Sequence, residues 1–167
     1  MLLLRKIDRR KWLDQTFDWV PEGEFRADPL GDLAALKGEL SVWRLDEGRT
    51  ELQVAAATAA LLNPGSLDYL LIDEQALQSS GFILQHCAGQ SADPGMNKKC
   101  HHDIVHLTER SLLNLAALFR AKGQMKTCAQ PTIMQVLADG ISQGTVDRRQ
   151  IKERWIKYMV EADLLDN

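Results

Sequence analysis

Residues 97–122, NKKCHHDIVHLTERSLLNLAALFRAK, hold the strongest helical pattern in the chain, beside a cluster of histidine and cysteine side chains. The apolar side chains recur at the three- and four-residue spacing of a helix that packs against a core. They are Val105, Leu112, Leu115, Ala116 and Phe119. We therefore expect a helix here that is buried along most of its apolar face.

Two starting points for this helix fit the same letters. In the first, the helix is continuous, and His102 and His106 lie one turn apart with Asp103 beside them. In the second, the helix begins after Thr108, whose hydroxyl would cap the first turn, and the preceding Leu107 would pack on the second turn. The histidines then precede the helix, and their four-residue spacing loses its helical meaning. The sequence leaves both starting points open.

Outward from this stretch, strand patterns occur in the first half of the chain and helical patterns in the second. The predicted strands are Leu2–Ile7, Leu40–Leu45, Leu67–Ile72 and Phe82–Cys87, and the predicted helices outside 97–122 are Glu51–Leu62, Asp73–Gln78, Thr132–Ile141 and Arg148–Glu161. The strand, helix, strand order between residues 40 and 72 favours a right-handed crossover and a parallel pair. We predict an α/β or α+β fold, with a small mixed sheet formed by the first half and a helical second half packed on it.

Length and composition favour a single globular domain over residues 1–167. The chain is 45% hydrophobic and 26% charged, which is ordinary for a folded protein and excludes a disordered class. The net charge of −3 argues against a dominant role in binding polyanions. Residues 1–83 carry 9 Lys and Arg against 14 Asp and Glu, whereas residues 84–167 carry 11 against 9, an asymmetry that would suit docking of a partner.

The cysteines and the N-terminus predict a cytoplasmic location. Three cysteines cannot all pair within one chain, and they lack the density of a secreted disulfide scaffold. Arg5, Lys6 and Asp8 follow the opening leucines, which leaves no apolar region of signal-peptide length. The longest apolar stretch, residues 54–62, is far shorter than a bilayer span of roughly 18 residues.

Potential metal ligands are dense between residues 87 and 106. They are Cys87, Cys100, His101, His102 and His106. Thiolate and imidazole groups are the ligands that zinc prefers, although the spacing lacks a C-x2-C knuckle. From this set and the adjoining Asp103 we predict a metal site, with zinc as the candidate ion, formed by Cys100, His102, Asp103 and His106.

Two short resemblances involve the same residues. The sequence HDIVH at 102–106 is similar to the H-E-x-x-H signature of zinc metallopeptidases, with Asp103 in place of the glutamate. The pair His102-Asp103 also resembles the core dipeptide of HD-type metal-dependent phosphohydrolases. That resemblance implies an upstream histidine and a downstream aspartate, and His86 and Asp139 stand at such positions. The HD family is all-helical, whereas residue 86 here lies in a predicted strand.

Residues 136–148, VLADGISQGTVDR, resemble the turn and the start of the recognition helix in bacterial helix-turn-helix repressors. The matching residues are Gly140, Ile141, Ser142, Thr145, Val146 and Arg148, whereas Gln135 and Asp139 occupy positions that should be apolar. The resemblance implies DNA binding. Arg148, Arg149 and Lys152 would then contact phosphates.

No motif covers enough of the chain to assign a catalytic residue or a resident cofactor. Four aromatic side chains lie in an irregular part of the first half, where they would pin a loop to the core or line a binding surface; they are Trp12, Phe17, Trp19 and Phe25. Our leading hypothesis is a non-catalytic protein-interaction module, such as an accessory, regulatory or immunity-like subunit, with a protein partner or a second copy of itself and no membrane contact. One alternative is a metal-dependent hydrolase or metal-stabilised protein that uses residues 100–106. The other is a DNA-binding regulator with a partial helix-turn-helix in its last two helices.

Overall fold

A computed structural model describes residues 1–12, 27–33, 38–45 and 48–166. In these residues six strands form one sheet: β1 (Leu2–Lys6), β2 (Leu40–Arg44), β3 (Leu67–Asp73), β4 (Ile83–His86), β5 (His101–Val105) and β6 (Gln124–Cys128). The strand order is β4-β5-β2-β1-β3-β6, and every neighbouring pair is antiparallel. The helices are α1 (Arg9–Trp12), α2 (Asp28–Asp32), α3 (Glu51–Ala59), α4 (Glu74–Ser79), α5 (Pro94–Lys99), α6 (Glu109–Lys122), α7 (Gln130–Ser142) and α8 (Glu153–Glu161), with a 3-10 turn at Arg148–Gln150.

The architecture is α+β, which confirms the predicted fold class. The first half supplies β1 to β3, β4 spans the midpoint of the chain, and most of the long helices follow in the second half. The second half also contributes β5 and β6, which the sequence patterns did not indicate as strands. All the helices of the described residues are too short or too polar to cross a membrane.

The predicted parallel pairing of β2 with β3 is wrong. Both strands run in the same direction, but β1 lies between them and is antiparallel to each. The reason lies in the pattern of β1, where the consecutive residues Leu3 and Leu4 are both fully buried. A strand that buries side chains on both of its faces is most stable in the middle of a sheet.

Helices cover both faces of the sheet and create two cores. On one face, α3, α7 and α8 pack on a cluster that includes Leu4, Trp43 and Trp155. On the other face, α6 and the short helices α1 and α2 pack on a cluster that includes Leu3 and Phe119. Strand alternation therefore assigns the buried sheet residues to one of two separate helical layers.

Helix α6 begins at Glu109, with Thr108 as its N-cap. The Thr108 hydroxyl accepts a hydrogen bond from the Ser111 backbone N–H, and the Ser111 hydroxyl accepts one from the Thr108 backbone N–H. The second starting point is thereby confirmed, and the continuous helix over residues 97–122 is wrong. Residues 97–99 end helix α5, and residues 101–105 form β5, where four of the five residues are buried, on both sides of the strand.

The connection between β4 and β5 is partly buried. Ser91 and Asp93 are buried, and Asp93 caps the short helix α5 by accepting hydrogen bonds from two backbone N–H groups. Arg49, which precedes α3, binds both carboxylate oxygens of Asp93. This ion pair fixes the connection against α3, so β5 returns to the sheet at a defined register.

Candidate metal centre

Strands β4 and β5 form one margin of the sheet, and their register decides which polar side chains meet. Gln85 lies opposite Asp103, and His86 lies opposite His102. Just beyond β4, the Cys87 backbone N–H donates to the His101 carbonyl. Because side chains alternate along a strand, Cys87, His101 and Asp103 project from one face, and His86 and His102 project from the other.

On the first face, the Cys87–His101–Asp103 cluster brings three metal-ligand types together. The Cys87 Sγ lies 3.0 Å from His101 Nδ1 and 2.9 Å from an Asp103 carboxylate oxygen. The His101 Nε2 lies 3.9 Å from the other Asp103 oxygen. One ligand atom from each residue lies within 4.8 Å of the other two. In the part of the chain that the structure describes, no other three His, Cys, Asp or Glu residues converge in this way.

The electrostatic environment favours the uncharged forms of the Cys87 thiol and the His101 imidazole. Burial raises the pKa of Cys87 to about 11, and the hydrogen bond to Asp103 and the negative charges of Asp103 and Glu39 act in the same direction. Burial also lowers the pKa of His101, although the Asp103 carboxylate opposes this shift. Without a cation, Cys87 is thus a thiol that donates to a carboxylate, which disfavours a role as a free nucleophile. A divalent cation would reverse this preference because it binds the thiolate.

Packing fixes the His101 ring. The Trp43 ring packs on it in an edge arrangement with 4.6 Å between ring centroids. Gly89 lies against the same two rings, so closely that a Cβ at this position would be 2.5 Å from His101 Cγ. The imidazole is only 10% exposed and is held between a strand and a loop. A ring fixed in this way is oriented before any ligand arrives.

The four residues of the predicted metal site do not converge. Asp103 belongs to the Cys87–His101–Asp103 cluster, but His102 is buried on the opposite face. Cys100 is buried at the end of α5 and contributes to the apolar core. His106 is exposed and adopts a left-handed backbone conformation with φ of 59° after the end of β5. His102 and His106 therefore do not share a helix.

The cluster differs from the predicted set by including Cys87 and His101, and one signal could have identified them. Both belong to the broader group of ligand types in residues 87–106. His101 and Asp103 are two residues apart, which places them on one face of a strand but on different sides of a helix. Treating residues 101–105 as a strand would have placed His101 and Asp103 side by side on one face. The position of Cys87 opposite His101 depends on the register between β4 and β5, which no local pattern specifies.

The geometry implied by the two metal-hydrolase resemblances is not found. The sequence HDIVH lies on a strand and the turn after it, whereas the H-E-x-x-H signature requires a helix. His86 packs against His102, with 5.1 Å between ring centroids. Asp139, however, lies on α7, which packs on the other face of the sheet, where it accepts a hydrogen bond from Gln135. The residues implied by the HD resemblance therefore lie on opposite sides of the sheet.

The helix-turn-helix resemblance also lacks its geometry. Helix α7 ends at Ser142 and α8 begins at Glu153, so ten residues separate them instead of a turn of three or four. Arg149 binds Asp147 at 3.0 Å, and Lys152 donates to Asn63 at 3.3 Å. Arg148 lies in the 3-10 turn. The described part of the chain thus has no recognition helix at the expected position, and DNA binding stays a prediction.

Of the four aromatic residues in the irregular first-half segment, the structure describes one. Trp12 is 4% exposed, packs against Phe119 and donates a hydrogen bond to Asp32 at 2.7 Å. It pins α1 to the core, in agreement with the loop-anchoring interpretation. Phe17, Trp19 and Phe25 lie outside the described residues.

Comparisons with protein-family models, curated proteins and solved structures find nothing that matches this chain. The function is therefore argued from the geometry of the described residues.

Proposed function

We propose that this protein binds a divalent transition-metal ion of the zinc class through Cys87, His101 and Asp103. The proposal depends on one observation, the convergence of a thiol, an imidazole and a carboxylate within 4.8 Å on two paired strands. A mixed sulfur, nitrogen and oxygen set suits a borderline cation such as Zn²⁺ better than Mg²⁺ or Ca²⁺, which prefer oxygen alone.

The spacing of the ligand atoms is close to what such an ion requires. A tetrahedral ion with bonds of roughly 2.0–2.3 Å holds its donor atoms roughly 3.5 Å apart. The Cys87 Sγ lies 3.0 Å and 2.9 Å from its His101 and Asp103 neighbours. Binding would replace the thiol proton with the ion and separate these atoms by about half an ångström.

Three protein ligands leave a fourth coordination position for water or an external ligand. Structural zinc sites are closed by four protein ligands, whereas catalytic sites keep one position open. Water bound at an open position becomes acidic enough to act as a nucleophile near neutral pH. The open set supports a metal-dependent hydrolase in preference to a protein that uses the metal only for stability.

Cobalt titration tests this proposal because Co²⁺ bound to a thiolate absorbs in the near ultraviolet. Protein freed of metal with a chelator should develop this band with one equivalent of Co²⁺, and Cys87→Ala should lose it. Cys128→Ala provides the matched control, since this buried thiol lies on β6 at the far margin of the sheet. Cys100→Ala should also keep the band, because Cys100 lies outside the cluster. A band that persists in Cys87→Ala would refute the assignment.

We also propose, as a second function, that two copies of the chain pair through β4. The supporting observation is that β4 is the terminal strand and pairs only with β5 among the described strands, while its residue Ile83 is 56% exposed. An exposed strand margin can accept a further strand from a partner, including a second copy of the chain. In this second function the protein acts as a protein-interaction module.

Sedimentation of the pure chain tests pairing of two copies at β4. The weight-average mass should rise with concentration, and Ile83→Lys should abolish the rise. Leu113→Lys is the matched control, because Leu113 is 49% exposed on α6 and not on the strand. A wild-type chain that stays monomeric at every concentration would exclude self-pairing.

A further inference from the structure

The other face of the β4–β5 pair carries two histidines in direct register. His86 on β4 lies opposite His102 on β5, and their ring centroids are 5.1 Å apart at an interplanar angle of 71°. His86 is exposed, whereas His102 is 3% exposed. The pair thus has one ring in the protein interior and one ring that solvent reaches.

Hydrogen bonds to backbone carbonyls determine which ring nitrogen of each histidine carries a proton. The His86 Nε2 lies 2.8 Å from the Lys98 carbonyl oxygen, and the His102 Nδ1 lies 3.1 Å from the Cys100 carbonyl oxygen. A carbonyl oxygen has no hydrogen to donate, so each of these nitrogens must be the donor. In the neutral rings, a lone pair is left on His86 Nδ1 and on His102 Nε2.

This arrangement is typical of histidines that bind metal ions. A ligating imidazole usually donates its other N–H to a carbonyl or carboxylate, which fixes the ring and raises the basicity of the ligating nitrogen. Here both rings have such a partner before any ion is bound. Each hydrogen bond satisfies one ring nitrogen and leaves the other nitrogen of that ring as the candidate ligand atom.

The distance between the rings also fits. An ion bonded to two imidazole nitrogens at roughly 2.0–2.1 Å, with a tetrahedral angle between the bonds, holds the ring centres roughly 5 Å apart. The observed separation is 5.1 Å. The adjoining charges nearly cancel, because Arg44 donates to Glu74 in an ion pair beside His102. A cation at this place therefore meets little net repulsion from its neighbours.

We propose that His86 and His102 form a second transition-metal site, which takes a divalent ion of the zinc, nickel or copper class. The ion would join β4 to β5 on the face opposite the Cys87–His101–Asp103 cluster. Two protein ligands leave the remaining positions to water or to an external ligand. This site does not depend on the Cys87–His101–Asp103 cluster, since the two sets share no residue and lie on opposite faces.

Zinc stoichiometry and the cobalt band together separate the two sites. Equilibrium dialysis against Zn²⁺ with elemental analysis should give two equivalents in the wild-type chain and one in His86→Ala. The thiolate-to-cobalt band should be unchanged in His86→Ala, because this variant keeps the sulfur ligand. His106→Ala is the matched control, since His106 is also exposed and directly follows β5, and it should retain both equivalents.

Each outcome decides one of the two sites. If His86→Ala binds as much Zn²⁺ as the wild-type chain, the second site is overturned. If the wild-type chain gives no cobalt band but loses an equivalent of Zn²⁺ in His86→Ala, the second site holds and the Cys87–His101–Asp103 site fails. Nitrogen-15 NMR spectra of the imidazole groups show directly which ring nitrogens bind the ion. Added Zn²⁺ should shift His86 Nδ1 and His102 Nε2, and unchanged resonances would refute the assignment.

Discussion

Gly89 lies directly against the His101 imidazole, with no room for a side chain between them. A Cβ on Gly89 would be 2.5 Å from His101 Cγ and 2.5 Å from the Trp43 ring. Carbon atoms in van der Waals contact are separated by roughly 3.5–4.0 Å. The absence of a side chain at residue 89 therefore allows the imidazole to lie where it meets Cys87 and Asp103.

Gly89→Ala should reduce both stability and metal affinity. The new methyl group must displace the His101 ring or the Trp43 ring, and overpacking of this kind costs about 1–3 kcal/mol in the free energy of unfolding. A shifted imidazole would also weaken Co²⁺ binding at the Cys87–His101–Asp103 cluster. Urea denaturation and cobalt titration measure the two effects. Gly65→Ala is the matched control, because a Cβ there meets no atom within 4 Å. Equal behaviour of the two variants would contradict the role assigned to Gly89.

Thr108→Ala should destabilise the protein by about 1 kcal/mol, the usual effect of removing an N-cap hydroxyl. The Thr108 Oγ1 accepts from the Ser111 backbone N–H at 3.3 Å, so this donor would lose its partner. Thr132→Ala, an exposed threonine in the first turn of α7 without a cap role, should change the free energy of unfolding by less than about 0.5 kcal/mol. Chemical denaturation of both variants measures this difference. Equal losses in the free energy of unfolding would show that the Thr108 cap does not stabilise the protein.

Helix caps such as Thr108 show which part of the fold the sequence could predict. A cap depends on residues within one turn of each other, so the start of α6 and the capping box at Thr50 and Gln53 are visible in the letters. The placement of β1 depends on contacts with β2 and β3, more than 30 residues away. No local pattern specifies such a pairing, and the expected parallel neighbours were therefore wrong.

The candidate metal site was predictable only in part, for the same reason. The letters HHDIV fit the start of a helix as well as a buried strand, and a short apolar run does not distinguish them. Once residues 101–105 form a strand, His101 and Asp103 share a face. Cys87 joins them only because the antiparallel register brings it opposite His101. The residue types were therefore visible, but the grouping required the sheet.

The ion pair between Arg49 and Asp93 should make stability depend on acidic pH. Burial alone would raise the pKa of Asp93, but hydrogen bonds from Arg49, Met96 and Gly95 lower it overall. A carboxyl whose pKa is depressed on folding contributes stability above its unfolded pKa of about 4, and this contribution is lost as pH falls through the folded pKa. The unfolding free energy should therefore fall below about pH 4.

Asp93→Asn isolates this contribution. The Asp93 side chain is 5% exposed and the Arg49 side chain is 25% exposed, so removing the charge of Asp93 from this partly buried pair costs about 1.5–3 kcal/mol near neutral pH. The difference between the wild-type chain and the variant should shrink as the carboxyl protonates. Urea denaturation over the acidic range measures it, with the exposed Asp166→Asn as control. A difference that stays constant across this range would exclude Asp93 as the titrating group.

Trp155 should be the residue through which α8 stabilises the fold. Its side chain is fully buried, and its indole N–H donates to the carbonyls of Ala59, the last residue of α3, and of Leu62, which follows the helix. Trp155→Ala should cost about 3–5 kcal/mol because it empties a large volume in the core. Trp155→Phe keeps most of the apolar area but leaves the Leu62 carbonyl without this donor, which should cost about 1–3 kcal/mol.

Tyr158→Phe is the matched control, since Tyr158 is 39% exposed on the same helix and should change stability by less than about 0.5 kcal/mol. Thermal and urea denaturation should rank the variants in this order, and a Trp155→Phe variant as stable as Tyr158→Phe would show that the indole hydrogen bonds contribute nothing to the docking of α8.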